Sequence, residues 1–159
     1  MILVILGTQD KPFLRILEAL EEQKEKGYIQ DEIIVQAGTT HFDSKNMKMF
    51  DLIPIDEFDQ LLNQADVIVT HAGVGSILGA LKKKKRVIAC ARLAEYGEHV
   101  NDHQLEIQNE FARLGYLLPC NDFNKLHEMI ANIQDFIPNP YHSTTDKVVE
   151  MIKSFIDSH

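Results

Sequence analysis

The sequence predicts an α/β protein, a single Rossmann-like domain with a mostly parallel sheet and helices on both faces. Three observations predict it. Short apolar runs at Ile2–Leu6, Glu32–Gln36, Asp66–Thr70 and Val87–Cys90 alternate with amphipathic segments, and strands separated by helices of about 10 to 15 residues form right-handed crossover units. Runs such as Ile2–Leu6 are continuously apolar, the mark of strands covered on both faces. At 159 residues the chain is long enough for one core and too short for two domains of ordinary size, so 1–159 is read as one unit.

In chain order, Ile2–Leu6 empties into the turn Gly7-Thr8. Pro12 suits a first helical turn, Phe13, Ile16, Leu17 and Leu20 recur at helical spacing, and Gly27 ends the pattern. Glu32–Gln36 is a second strand, closed by Ala37-Gly38. Residues 39–49 are polar and irregular, with Met47–Leu52 a candidate short strand. Asp56 suits the N-cap of a helix carrying Phe58, Leu61 and Leu62. The strand Asp66–Thr70 then breaks into His71-Ala72-Gly73-Val74-Gly75-Ser76, and helical spacing resumes at Ile77, Leu78 and Leu81. Val87–Cys90 is a strand, Asn101–Leu114 a helix ended by Gly115, and Tyr116–Leu118 a short strand. Asn121 or Asp122 caps a helix through Leu126, Ile130 and Ile133, which Pro138 and Pro140 end. Ser143 or Thr144 opens a last amphipathic helix with Val148, Met151, Ile152 and Phe155, suited to packing on the sheet or docking a partner.

Composition narrows the function. A formal charge of −8 leaves no basic face for a run of nucleic-acid phosphates. The basic cluster Lys82–Arg86 falls where a helix ends, where cations complement the dipole; a patch for anionic lipid or an acidic partner is the other reading. Cys90 and Cys120 sit beside apolar residues and read as a reduced, buried pair. The opening MILVILGTQD lacks a basic start and a cleavage site and reads as a strand, not a signal peptide. No run approaches the roughly 20 apolar residues of a membrane span, so any membrane association is expected through a partner.

The loop at His71–Ser76 carries the chemistry. A strand that opens through glycines into a helix start leaves unpaired backbone N–H groups at the positive end of the helix dipole, a ready site for a phosphate. HAGVGS is neither G-x-G-x-x-G nor the Walker pattern, and a tight turn that needs glycine is the plain alternative. Ligands of parallel sheets bind at the carboxyl ends of the strands, where three loops are expected to meet: Gly7-Thr8-Gln9, His71–Ser76 and the polar segment Arg92–Gln104.

The pieces ADVIVTHAGVGSI, ALKKKKRVIA, YGEHVNDHQ and FARLGYL, with MILVILGTQDKPF at the start, resemble the C-terminal, sugar-nucleotide-binding half of the GT-B glycosyltransferases over about residues 1–120. That group includes the bacterial enzyme that adds N-acetylglucosamine to lipid-linked muramyl-pentapeptide. It also includes the small soluble subunit of the eukaryotic transferase that adds the second sugar to the dolichol-linked glycan. The chain also resembles free-standing bacterial versions from capsular and exopolysaccharide clusters, which work beside a membrane-associated partner. The resemblance implies that Gly7 and Thr8 face the donor pyrophosphate. It implies that His71, Ala72, Gly73, Val74, Gly75 and Ser76 supply donors to the phosphates near the nucleoside. Ile55 falls where the main chain meets uracil, and His103 and Gln104 where the sugar hydroxyls are held. Many relatives carry a glutamate for the ribose where this chain has Gly79, and Glu98 is the nearest acidic replacement.

The resemblance also implies an inverting, metal-independent transfer with no cofactor, a UDP-sugar donor, a lipid-linked glycan acceptor, and no nucleic acid. Because this chain matches only the donor half, a membrane-associated acceptor-binding subunit is expected, holding the chain at the cytoplasmic face of the inner membrane. Several readings stay open at single residues. His71 is a phosphate or sugar contact or a loop histidine bonded to its own backbone, and with His103 it is a candidate catalytic group. His99 and His103 are four apart but lack a third metal ligand. Glu98 and Gln104 are donor contacts or surface residues, and Arg15 a phosphate contact or an ordinary surface arginine. Thr39-Thr40-His41 frames either the sugar or a partner interface. At the level of function, a hexosyltransferase subunit competes with a non-catalytic nucleotide-binding or activating subunit, and with an unrelated nucleotide-binding α/β protein.

Overall fold

A computed structural model describes residues 1–142. Six strands form one parallel sheet: β1 (Ile2–Ile5), β2 (Ile33–Gln36), β3 (Lys48–Phe50), β4 (Val67–His71), β5 (Val87–Cys90) and β6 (Leu118–Pro119). Their order is β3-β2-β1-β4-β5-β6, and every neighbouring pair is parallel. Five α-helices connect or follow them: α1 (Leu14–Glu25), α2 (Ile55–Gln64), α3 (Val74–Lys82), α4 (His103–Arg113) and α5 (Leu126–Ala131). The expected helix after Ser143 lies outside the described residues.

The strand side chains explain the two-faced core. Ile2, Val4 and Leu6 point to one side with Val67 and Val69, against Phe13, Ile16, Leu17 and Leu20 of the α1 region and Leu126 of α5. Leu3, Ile5 and Ile68 point to the other, against Ile77, Ala80 and Leu81 of α3 and Phe111 of α4. Alternation at period two, with both faces apolar, makes β1 and β4 the central strands. The order in which strands are added across the sheet reverses between these two, since β2 and β3 lie outward of β1, and β5 and β6 outward of β4. A crevice at the carboxyl ends of strands on either side of such a reversal is where ligands bind in open parallel sheets.

Element boundaries moved where side chains override local signals. α1 begins at Leu14, and the Phe13 N–H donates to Thr40 Oγ1 at 3.1 Å, so a residue 27 positions away takes the place of a local cap. α2 begins at Ile55 with Pro54 at the N-cap, which places Asp56 in the first turn. β4 runs on to His71, and α3 starts at Val74, so the loop is only Ala72-Gly73. α4 starts at His103, two residues later than expected, and β6 falls at Leu118–Pro119. Asp122 does cap its turn, accepting from the Asn124 N–H at 3.1 Å, but the segment after it is a 3-10 turn followed by the short α5.

Three of the five side chains of the basic cluster are engaged by other groups. Lys83 pairs with Asp59 at 3.6 Å, Lys85 donates to the Asn63 and Ala65 carbonyls, and Arg86 donates to the Phe136 carbonyl. Cys90 and Cys120 are buried and unbridged. No described helix is long and apolar enough to cross a membrane.

Candidate functional site

The reversal point carries a cleft of about 480 Å³, lined by the β1 turn (Gly7, Thr8, Gln9), the start of α3 (Gly73, Gly75, Ser76), His71, Gln36, and an apolar wall of Leu52, Ile53, Ile55 and Phe58. Among the described residues no carboxylate lines it, so none of them repels an anion there. Gly73 is the N-cap of α3 and offers no side-chain cap, which leaves the first N–H groups of that helix to whatever enters the cleft.

The β1 turn is braced from four sides. Gln36, buried at the end of β2, accepts from the Gly7 N–H at 3.0 Å and donates to the Gly7 carbonyl at 3.2 Å and the Asp51 carbonyl at 3.1 Å. Thr39 donates to the Gln9 carbonyl, and Thr40 holds the Phe13 N–H. Arg92, 1% exposed, donates to the carbonyls of Leu6 at 2.6 Å, Lys11 at 2.7 Å and Glu98 at 3.1 Å. A wall held this way is preorganised, so ordering it costs a ligand little. Thr39 and Thr40 are therefore braces of the turn. Gln36 and Arg92 were missed as contributors; the only sequence signal was a polar residue ending an apolar strand, at Gln36 and again just after β5.

His71 sits at the base of the cleft, 5% exposed, where Gly7 and Gly73 leave room for its ring. Gly7 also has φ +79°, and a Cβ there would reach within 2.6 Å of His71 Cε1; one at Gly73 would come within 2.8 Å of Nε2. Burial, reinforced by the nearby Arg92 guanidinium, pushes the imidazole down from 6.5 to about 3, so it is neutral at physiological pH. Its Nδ1 meets Gln104 Nε2 at 3.0 Å, and its Nε2 meets Ser76 Oγ at 3.2 Å.

Of the residues expected to hold a donor, Gly7, Thr8, Ile55, His71, Gly73, Gly75 and Ser76 share this cleft. Val74, Glu98, His103 and Gln104 are not among its lining residues. Val74 turns toward the core formed with α4. Glu98 is corrected: it is 2% exposed, grips Arg15 through two bonds of 2.9 and 3.0 Å, and accepts from the Leu93 N–H, so it is unavailable to a ribose. Arg15 is neither a phosphate contact nor a plain surface residue, for its guanidinium also stacks on Tyr96 and Phe123 at 4.2 and 4.1 Å. Gln104 is corrected as well: its oxygen accepts from the Ala72 and Arg92 N–H groups, both at 3.1 Å, and it stands behind His71, outside the cleft lining. His103 opens α4 and lies 3.3 Å from Glu106. The segment 92–104 thus braces the site from behind, and residues 51–58 supply the wall it was expected to form. Among the described residues no group of three or more His, Cys, Asp and Glu is placed to hold a metal.

Fold and cleft together define a doubly wound Rossmann-like domain with an anion-compatible site at its switch point. Residues 1–158 match the glycosyltransferase family 28 C-terminal domain, and the chain belongs to that family. It is similar to the UDP-N-acetylglucosamine transferase subunit ALG13 of Yarrowia lipolytica, 22% identical over 152 residues that cover 87% of this chain and 74% of the relative. The ALG13 subunit of Saccharomyces cerevisiae is 36% identical over 56 residues, covering 35% of this chain and only 26% of that protein. Among solved structures, the NMR structure of ALG13 shares the fold at a TM-score of 0.59 and 19% identity, covering 95% of this chain and 93% of the other. Acinetobacter baumannii MurG does so at 0.55 and 17%, covering 82% of this chain and 41% of that one.

Proposed function

We propose that the cleft binds the nucleoside diphosphate of a UDP-sugar, and that the chain is the donor-binding subunit of a hexosyltransferase. The observation that carries this is the convergence, in a family 28 domain, of the braced Gly7 turn and the open start of α3 on one cleft that no carboxylate of the described residues lines. Leu52, Ile53, Ile55 and Phe58 offer an apolar surface for the base, and the N–H groups beyond Gly73 lie on the phosphate side. When the glycosidic bond breaks, charge grows on the departing diphosphate. Fixed N–H donors and a helix terminus stabilise that charge with little reorganisation, which needs neither metal nor cofactor, and inversion at the anomeric carbon accords with the family resemblance.

The two candidate catalytic histidines do not suit proton abstraction here: burial makes His71 a very weak base, with both ring nitrogens engaged, and His103 lies outside the cleft lining. The general base then belongs to the acceptor-binding side. In this reading a membrane-associated partner supplies that side and a lipid-linked glycan acceptor, as in capsule or exopolysaccharide assembly, with this chain cytoplasmic and peripheral to the membrane. That the relatives are named as transferase subunits supports a partner.

A second reading, a non-catalytic nucleotide-binding or activating subunit, is favoured by the two acids the site lacks: Gly79 has no side chain, and Glu98 is spent on Arg15. Calorimetric titration with UDP, ADP and GDP tests the first claim. Tighter binding of UDP supports it, and equal affinities sink it. Reconstitution with the partner decides between the readings: His71→Ala and Ser76→Ala lower turnover if the donor is activated here and leave it unchanged if the chain only activates.

A further inference from the structure

The geometry points to Gln104 as a positioning residue that sets the tautomer of His71 and, through it, aims the Ser76 hydroxyl proton into the cleft. The chain of argument starts at the backbone. One atom of the Gln104 amide receives two N–H donors, from Ala72 and Arg92, each at 3.1 Å. Only an oxygen can accept both, so the amide has one permitted orientation. The NH2 group must then be the atom 3.0 Å from His71 Nδ1. It can only donate, so Nδ1 is a bare acceptor.

Burial keeps the ring neutral, with Arg92 and His99 as the cationic or ionisable groups acting on it. A neutral imidazole without a proton on Nδ1 carries it on Nε2. That proton faces Ser76 Oγ at 3.2 Å, so the ring donates and the hydroxyl accepts. Ser76 retains one O–H, and Ser76 lines the cleft. The hydroxyl is thereby set as a donor toward an anionic oxygen, and cannot spend its proton on the histidine. Gly7 and Gly73 clear the space that lets the ring hold this position. The three-residue relay explains why a glutamine outside the cleft is buried, 3% exposed, and fully oriented. Its last link rests on the donor-site reading above.

Three measurements on the whole chain test the relay. Long-range proton–nitrogen NMR on histidine-labelled protein, with His71 assigned through its own backbone, is expected to show Nδ1 unprotonated and Nε2 protonated at neutral pH. A protonated Nδ1, or an exchanging mixture, overturns the proposal. In Gln104→Glu both backbone donors keep an acceptor, while His71 now faces a carboxylate. Its titration is expected to move from about 3 into the neutral range; an unmoved titration in a folded variant overturns the contact. Ser76→Ala is expected to weaken UDP binding about tenfold, the loss of one hydrogen bond to a charged oxygen, and unchanged affinity removes the last link. If wild-type protein fails to bind UDP, the donor-site reading falls, while the tautomer result still decides the positioning of His71 by Gln104.

Discussion

The imidazole of His71 occupies the volume that a side chain at Gly7 would need, across the boundary between β4 and the turn after β1. The two central strands therefore interlock at their carboxyl ends, and the floor of the cleft is a buried heterocycle instead of open backbone.

Glycines here divide into those the fold requires and those it does not. Gly7→Ala is expected to lose about 2 kcal/mol or more, since the left-handed conformation alone costs roughly 1–2 kcal/mol and the ring must also move. Gly79, in α3, has nothing within 4 Å of an added Cβ, so Gly79→Ala should gain about 0.5–1 kcal/mol from helix propensity. Urea denaturation of the two variants beside the wild type checks both signs.

Gly75 also has open space where a Cβ would stand, yet it lines the cleft. Its small size serves the ligand and not the fold. Gly75→Leu is expected to shift stability by less than about 1 kcal/mol while abolishing measurable UDP binding, as read by thermal melting and calorimetry on the same sample.

Acid should weaken the fold through His71. The unfolded ring titrates near 6.5 and the folded one near 3, so between those values the unfolded state binds the extra proton. Stability therefore falls as pH drops from about 6.5 toward 3, by about 1.4 kcal/mol for each unit in the steep part of the window. The contribution is complete above 6.5. A His71→Gln variant removes this titration, and its denaturation midpoint should vary less with pH over that interval.

Glu98 gives a direct contrast between support and binding. Glu98→Gln removes the charge that holds the Arg15 guanidinium but retains an acceptor for the Leu93 N–H. With Arg15 about a quarter exposed, part of the loss is screened by solvent, and a cost of about 1–3 kcal/mol is expected. UDP affinity should stay unchanged. A selective fall in affinity with full stability would return Glu98 to the ribose.

Periodicity alone made most of the architecture legible. Ile2, Val4 and Leu6 against Leu3 and Ile5 already declare a strand buried on both faces, and glycines after β1 and β4 mark where the chain must turn. From these the parallel sheet, the crossover helices and the two principal walls of the cleft follow, because each depends on residues near one another in sequence. The family resemblance added Ile55, which does line the cleft.

What only the tertiary structure decided is how the polar side chains spend their hydrogen bonds. Glu98 and Gln104 have the chemistry of sugar or ribose ligands, and nothing local distinguishes a carboxylate facing solvent from one closed on an arginine 83 positions earlier. Gln104 is committed by N–H groups at Ala72 and Arg92, which come together only because β4 and β5 lie side by side. Burying an unpaired backbone donor costs about 1–3 kcal/mol, so the fold claims these side chains first and leaves a ligand the groups that remain at the mouth.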